Sequence, residues 1–79
     1  MWYVYMLLCD KKTYYVGTTN NLPERMREHK EGRSFFTKQF SACELVYQEW
    51  HPDQKSATKR EKQLKALSRG EKQKLASGL

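Results

Sequence analysis

The period of the apolar positions switches repeatedly along this chain, and each switch marks a predicted element. From Trp2 to Leu8 two interleaved sets, Trp2/Val4/Met6/Leu8 and Tyr3/Tyr5/Leu7, are both apolar, which predicts a strand covered on both faces. Asp10-Lys11-Lys12 supplies a turn, and Thr13 to Gly17 returns as a second strand rich in β-forming residues. In such a hairpin Tyr5 and Tyr15 share a face across the strand pair. Gly17, at the strand end, leaves room for a close approach to the backbone.

Beyond Gly17 the spacing becomes helical. Asn21 is the expected N-cap, with Glu24 completing a capping box, and the helix runs to about Glu31, where Gly32 stops it. Leu22, Met26 and His29 fall on one stripe, with Arg25 at its edge one turn before His29. Between Arg33 and Phe40, the aromatics Phe35, Phe36 and Phe40 predict a short helical turn packed on the core. Glu44 to Trp50 is a third strand, with Leu45/Tyr47 on one face and Val46/Trp50 on the other.

Asp53 caps a helix from about Gln54 to Leu67, whose inward stripe is Ala57, Glu61, Leu64 and Leu67 or Ser68. A carboxylate in that stripe breaks the binary pattern. Ser68 and Glu71 form a second S-x-x-E box, so a last short helix starts near Arg69, weakened by Gly70. The order is strand, strand, helix, short helix, strand, helix, helix: an α+β chain forming one domain over residues 1–79, with no internal repeat or linker.

Composition narrows the class. At 79 residues the core is near the lower size limit for a domain that holds without disulfides or metal. The 38% hydrophobic and 13% aromatic content nevertheless favours a folded chain over a disordered one. No apolar run approaches the roughly 18 residues of a membrane span, and the N-terminus lacks a secretory pattern. Without a C-x-x-C motif, Cys9 and Cys43 are expected to be reduced thiols in a cytoplasmic protein, with no zinc.

Charge is divided sharply. Residues 1–53 hold seven Lys/Arg and seven Asp/Glu, whereas residues 54–79 hold eight and two, so the whole net +6 lies at one end. Lys55, Lys59, Arg60, Lys62, Lys65 and Arg69, with Lys72 and Lys74, are candidates for a phosphate-tracking groove. Solvated helix faces account for such lysines equally well. The C-terminal helices lack bulky aromatics on their apolar faces, which argues against a membrane surface as the partner. Trp50 and Phe35 or Phe36 could stack on bases, but core packing is the simpler expectation for all three.

Five residues point to chemistry: Tyr5, Tyr15, Arg25, His29 and Glu61. Phosphodiester hydrolysis needs an activated water, neutralisation of charge on the phosphoryl oxygens and relief of the leaving oxyanion. One Mg²⁺ ion, or Mn²⁺, meets several of these needs while keeping most of its own waters, so one carboxylate, Glu61, suffices to hold it. Arg25 has the planar fork of donors suited to a phosphate. A tyrosine can take a proton from water only if its pKa of about 10 is pulled down, whereas a histidine near 6.5 is an easier acceptor or relay. Each residue also has an ordinary structural role: packing tyrosines, a salt-bridged arginine, a satisfied core histidine, and Glu61 paired internally with Arg25 or Arg60.

Across nearly its whole length the chain resembles the GIY-YIG nucleases, most of all the small stand-alone bacterial members. Tyr3-Val4-Tyr5 matches the first motif, with Tyr3 in place of Gly, and Tyr15-Val16-Gly17 matches the second. The resemblance implies a small three-stranded antiparallel sheet flanked by helices. It also implies a motif tyrosine, Tyr5 or Tyr15, as general base, Arg25 on the phosphate, His29 at a position filled by His or Tyr, and Glu61 on the metal. Thr18 stands where the excision-repair members carry lysine, so that cation is missing here. The expected activity is a metal-dependent endonuclease acting on DNA, selective for structure rather than sequence, in repair or recombination. The alternative is a non-catalytic nucleic-acid-binding accessory with the same fold. The DNA-binding domains fused to many family members are missing from these 79 residues, so a protein partner supplying substrate targeting is a further expectation.

Overall fold

β1 (Trp2–Cys9) is the middle strand of a three-stranded antiparallel sheet of order β2-β1-β3 in the computed structural model, which describes residues 1–34 and 37–78. Phe35, Phe36 and Leu79 lie outside the described residues, and with them the packing and stacking roles considered for the two phenylalanines. The central position explains the doubly apolar pattern of β1. Val4 and Met6 point to one face, Tyr5, Leu7 and Cys9 to the other, and all five are buried.

The two faces are covered by different helices. On one, α1 (Leu22–Lys30) packs Leu22 and Met26 against Tyr5, Leu7 and Cys9. On the other, α2 (Gln54–Lys65) packs Ala57 and Leu64 against Val4, Met6 and Val16, joined by residues of α3 (Arg69–Ala76). Fully burying side chains of this size contributes about 1.5–3 kcal/mol each. Local signals set the helix ends. Asn21 accepts the Glu24 N–H at 3.2 Å, Asp53 accepts the Ser56 N–H at 2.8 Å, and Ser68 with Glu71 closes a complete capping box. Only half of the expected box forms at α1, because the Glu24 carboxylate turns to Arg27 and Arg33. Gly32 ends that helix with φ +76°.

β2 (Thr13–Thr19) runs two residues beyond Gly17, and the segment after α1 holds a 3₁₀ turn, η1 (Thr37–Gln39). β3 (Cys43–His51) corrects two expectations. Its register with β1 shifts between Met6 and Leu7: Leu7 faces Leu45 but Met6 faces Tyr47, which leaves Val46 as an extra residue. This bulge reverses the alternation. Leu45 shares the α1 face with Leu7, whereas Tyr47 joins Val46 on the α2 face, so neither Leu45 with Tyr47 nor Val46 with Trp50 shares a face as expected. Trp50 falls opposite Tyr3 and is 56% exposed, not core.

The cysteines supply another correction. Cys9 and Cys43 stand directly opposite each other across β1 and β3 and are joined as a disulfide, not left as thiols. Strand pairing between residues 34 apart in sequence is what brings them together. Beside them the Asp10 carboxylate accepts the backbone N–H groups of Ser41 and Ala42, tying the first turn to the start of β3.

Within that first turn Asp10 and Lys11 both have positive φ, 51° and 57°, and the Lys12 N–H donates to the Cys9 carbonyl at 3.0 Å. Aspartate tolerates this conformation; lysine adopts it at a cost. Lys11→Gly is therefore expected to raise stability by about 0.5–1 kcal/mol, read as a higher urea midpoint at unchanged slope.

Candidate active site

The first hairpin places the two motif tyrosines. Tyr5 pairs with Gly17 and Leu7 pairs with Tyr15, so Tyr5 and Tyr15 are diagonal neighbours on the α1 face with ring centroids 6.2 Å apart. Gly17 is what allows the Tyr5 ring to lie down across β2. A Cβ at position 17 would stand 2.6 Å from the Tyr5 hydroxyl oxygen and 2.8 Å from Cζ. The group that approaches the Gly17 backbone is thus the protein's own tyrosine.

α1 lowers His29 onto this pair. Its ring lies edge-on to both tyrosines, 5.7 Å from Tyr5 and 5.4 Å from Tyr15. Nε2 is 2.8 Å from the Tyr5 hydroxyl, and Nδ1 is 2.7 Å from Oγ1 of Thr37 in η1. His29 and Thr37 are both buried. Burial, reinforced by the Arg25 guanidinium, lowers the His29 pKa below its ordinary 6.5, with Glu28 opposing. Burial also raises the Tyr5 hydroxyl far above the ordinary phenol range; Tyr15 raises it further and Arg25 pulls back. Tyr5 is fully buried, so Tyr15, half-buried, is the tyrosine that meets solvent.

Arg25 acts on both groups from one turn before His29, and its Nε is 3.2 Å from Glu28. Both side chains of that pair are more than a third exposed, so it is worth only about 0–1 kcal/mol, little enough for a phosphate to displace.

Glu61 is placed differently. It lies on α2 between Ala57 and Leu64, in the stripe that packs on the sheet face opposite α1, with its side chain 20% exposed. Neither internal pair weighed for it forms. Arg25 is bound to Glu28, Arg60 is bound to Glu49, and Glu61 reaches Lys65 one turn on at 3.3 Å. Tyr5, Tyr15, Arg25 and His29 therefore converge, whereas Glu61 is carried by α2, the helix on the other face of the sheet, with its carboxylate on Lys65.

The predicted basic groove divides in two. Arg60 places Nε 3.1 Å from each Glu49 carboxylate oxygen, Lys65 holds Glu61, and Arg69 donates to the Lys12 carbonyl while its guanidinium lies 5.4 Å from the Tyr14 ring centre. These three are tied to the fold. Lys55, Lys59 and Lys62 line one shallow groove on the exposed side of α2, without an ion-pair partner among the described residues. Helical spacing directs them away from Ala57 and Leu64.

Two features escaped the sequence pattern. Thr37 completes the coordination of His29 from a segment with no clear period. Tyr47, Glu49 and His51 line up on the α2 face because of the bulge. Glu49 accepts from Tyr47 at 2.5 Å and lies 2.6 Å from His51 Nε2, and His51 Nδ1 is 2.7 Å from Ser56 Oγ. Burial raises the Glu49 pKa, but the hydrogen bonds from Tyr47, His51 and Arg60 outweigh it and hold the carboxyl below its ordinary value. This network fastens β3 to α2.

The chain matches known proteins over nearly its whole length. Residues 1–75 match the family model described as the GIY-YIG catalytic domain. A UPF0213 protein of Syntrophus aciditrophicus is 40% identical over 72 residues, covering 89% of this chain and 83% of the relative. Another from Natronomonas pharaonis is 37% identical over 76 residues, covering 95% and 89%. The solution NMR structure of the UPF0213 protein BH0048 from Bacillus halodurans superposes with a TM-score of 0.60 at 32% identity, covering 98% of this chain and 84% of that one.

The contact over Gly17 makes a sharp expectation. Gly17→Ala must push the buried Tyr5 ring off β2 and break its bond to His29, destabilising the fold by about 1–3 kcal/mol. Chemical denaturation measures the loss, and the histidine side-chain NMR resonances of His29 report the broken bond.

Proposed function

This chain belongs to the GIY-YIG family, a nuclease family, and we propose that it is a one-metal endonuclease that hydrolyses DNA phosphodiesters. In this reading it selects substrate by structure rather than sequence and serves repair or recombination. The observation that carries the reading is the 2.8 Å contact between Tyr5 and a buried His29, inside a cluster that also gathers Tyr15 and Arg25 from separate elements. A core histidine needs hydrogen-bond partners; it does not need an arginine beside it lowering its pKa.

Accessibility and proton affinity support a role for each residue. Tyr5 holds its proton at neutral pH and is sealed from solvent, so it cannot act as a free tyrosinate. Tyr15 meets the attacking water. As the Tyr15 oxygen accepts a proton from that water, its own proton passes to the Tyr5 oxygen, and the Tyr5 proton passes to Nε2 of His29, which is neutral beforehand. Arg25 exchanges Glu28 for the phosphate and stabilises the charge that grows on its oxygens.

The donor set fits a mostly hydrated Mg²⁺ or Mn²⁺. No group of three or more His, Cys, Asp or Glu able to hold an ion occurs among the described residues, which argues against an all-protein cage. A single carboxylate with a weak lysine partner suits an ion that keeps its waters. Glu61 would hold it after releasing Lys65, and the ion would supply Lewis-acid neutralisation at the phosphate. The outward lysines Lys55, Lys59 and Lys62 would contact backbone phosphates at some distance from the cut.

The test is cleavage of labelled single-stranded, duplex, flapped and branched DNAs in Mg²⁺, Mn²⁺ and chelator. Metal-dependent cutting is expected, reduced roughly 100-fold or more in both Arg25→Ala and Glu61→Gln. Salt-sensitive binding without cutting would refute the enzyme.

The pH profile gives a second check. His29 accepts a proton only while neutral, and its pKa is depressed, so activity should persist on the acid side of 6.5 and fall only as pH reaches the lowered value. A rate that already halves at or above pH 6.5 would exclude His29 as the acceptor.

A further inference from the structure

Neutral imidazole has one N–H and one lone pair, so a histidine that receives a proton at Nε2 must carry its hydrogen on Nδ1. Histidine free in water prefers the opposite tautomer. Something in the fold has to reverse that preference at His29. Among the described residues, the group bonded to the far nitrogen is Oγ1 of Thr37, at 2.7 Å, from a residue 2% exposed.

We propose that Thr37 is a positioning residue that holds His29 in the Nδ1–H tautomer, leaving the Nε2 lone pair turned to Tyr5. This inference rests on the reading of His29 as the end of the proton relay. Three observations support it. Both contacts of the ring are short, 2.8 Å on one side and 2.7 Å on the other, so the imidazole is fixed in plane and in tilt. Thr37 opens η1 and is itself buried, which leaves its hydroxyl little freedom to move away from the ring.

The third concerns the change of charge. After the proton arrives, both ring nitrogens are donors, and Thr37 can then only accept. In the Nδ1–H tautomer it accepts beforehand as well. The same hydrogen bond therefore serves both states of the ring, and no group behind His29 has to turn as charge develops. In the Nε2–H tautomer, by contrast, Tyr5 would have to stop accepting and Thr37 would have to reverse its hydroxyl at the moment of transfer.

The experiment is ¹⁵N–¹H correlation of the histidine side chains in the uniformly labelled protein at neutral pH, on the wild type, Thr37→Val and Thr37→Ser. The wild type is expected to show His29 protonated at Nδ1. Thr37→Val, nearly the same shape without the hydroxyl, should move the population toward Nε2–H, and Thr37→Ser should restore the wild-type pattern. Thermal unfolding of all three establishes that the variants are folded.

Kinetics on a cleaved DNA form the second arm. Thr37→Val should lower kcat about 10-fold at unchanged KM, with Thr37→Ser close to wild type. An Nε2–H tautomer in the wild type, a tautomer indifferent to Thr37→Val, or an unchanged kcat in that variant overturns the proposal. If the wild type cuts none of the DNAs, the nuclease reading fails by itself, while the spectra still decide whether Thr37 sets the tautomer.

Discussion

A buried imidazole with both nitrogens satisfied is the constraint on which this site depends. Leaving either nitrogen unpaired in the core would cost about 1–3 kcal/mol, a large part of what a domain this small can hold in reserve. The two partners of His29 come from β1 and from η1, so the bonds join α1, the sheet and the segment after α1 at one point. Gly17 belongs to the same arrangement, because only a bare Cα on the neighbouring strand lets the Tyr5 ring lie where its hydroxyl meets Nε2. The geometry of the site and the packing of the core are then two descriptions of one set of contacts.

The cations show a comparable division of labour. A count of lysines and arginines in the C-terminal third treats them alike, but the fold does not. Arg60, Lys65 and Arg69 are held by Glu49, Glu61 and the first hairpin, with Arg69 also lying over an aromatic ring. Arginine suits the first and last of these places because its donors form a planar fork. The lysines on the far side of α2, Lys55, Lys59 and Lys62, present their charge to solvent instead, on the layer opposite the tyrosines.

The sequence revealed most where a structural cause lies within a few residues of its effect. Asn21, Asp53, Ser68 and Gly32 set helix ends through bonds or conformations that span a single turn, and all four act as their spacing predicts. The doubly apolar β1 likewise announced a central strand. Contacts between segments distant in the chain were not legible. Thr37 carries no periodic signal, and Cys9 meets Cys43 only because β3 pairs with β1 in one register. Glu61 was legible as an odd residue in an apolar stripe, yet the pattern could not tell which face of the sheet its helix would cover. The family resemblance supplied the architecture; it could not supply the bulge.

That bulge has a consequence for how the chain can vary. Val46 is the extra residue that lets Cys43 and Leu45 serve one side of the sheet while Tyr47, Glu49 and His51 serve the other. Strand alternation has only two phases, so β3 obeys a parity rule. Losing or gaining one residue between Leu45 and Tyr47 would invert everything downstream, sending Glu49 and His51 toward α1 and Trp50 into the α2 core. Adding or removing two would preserve the phase. Odd-numbered length changes at this point should therefore be absent among functioning descendants of the chain unless the whole second half of β3 was rewritten with them.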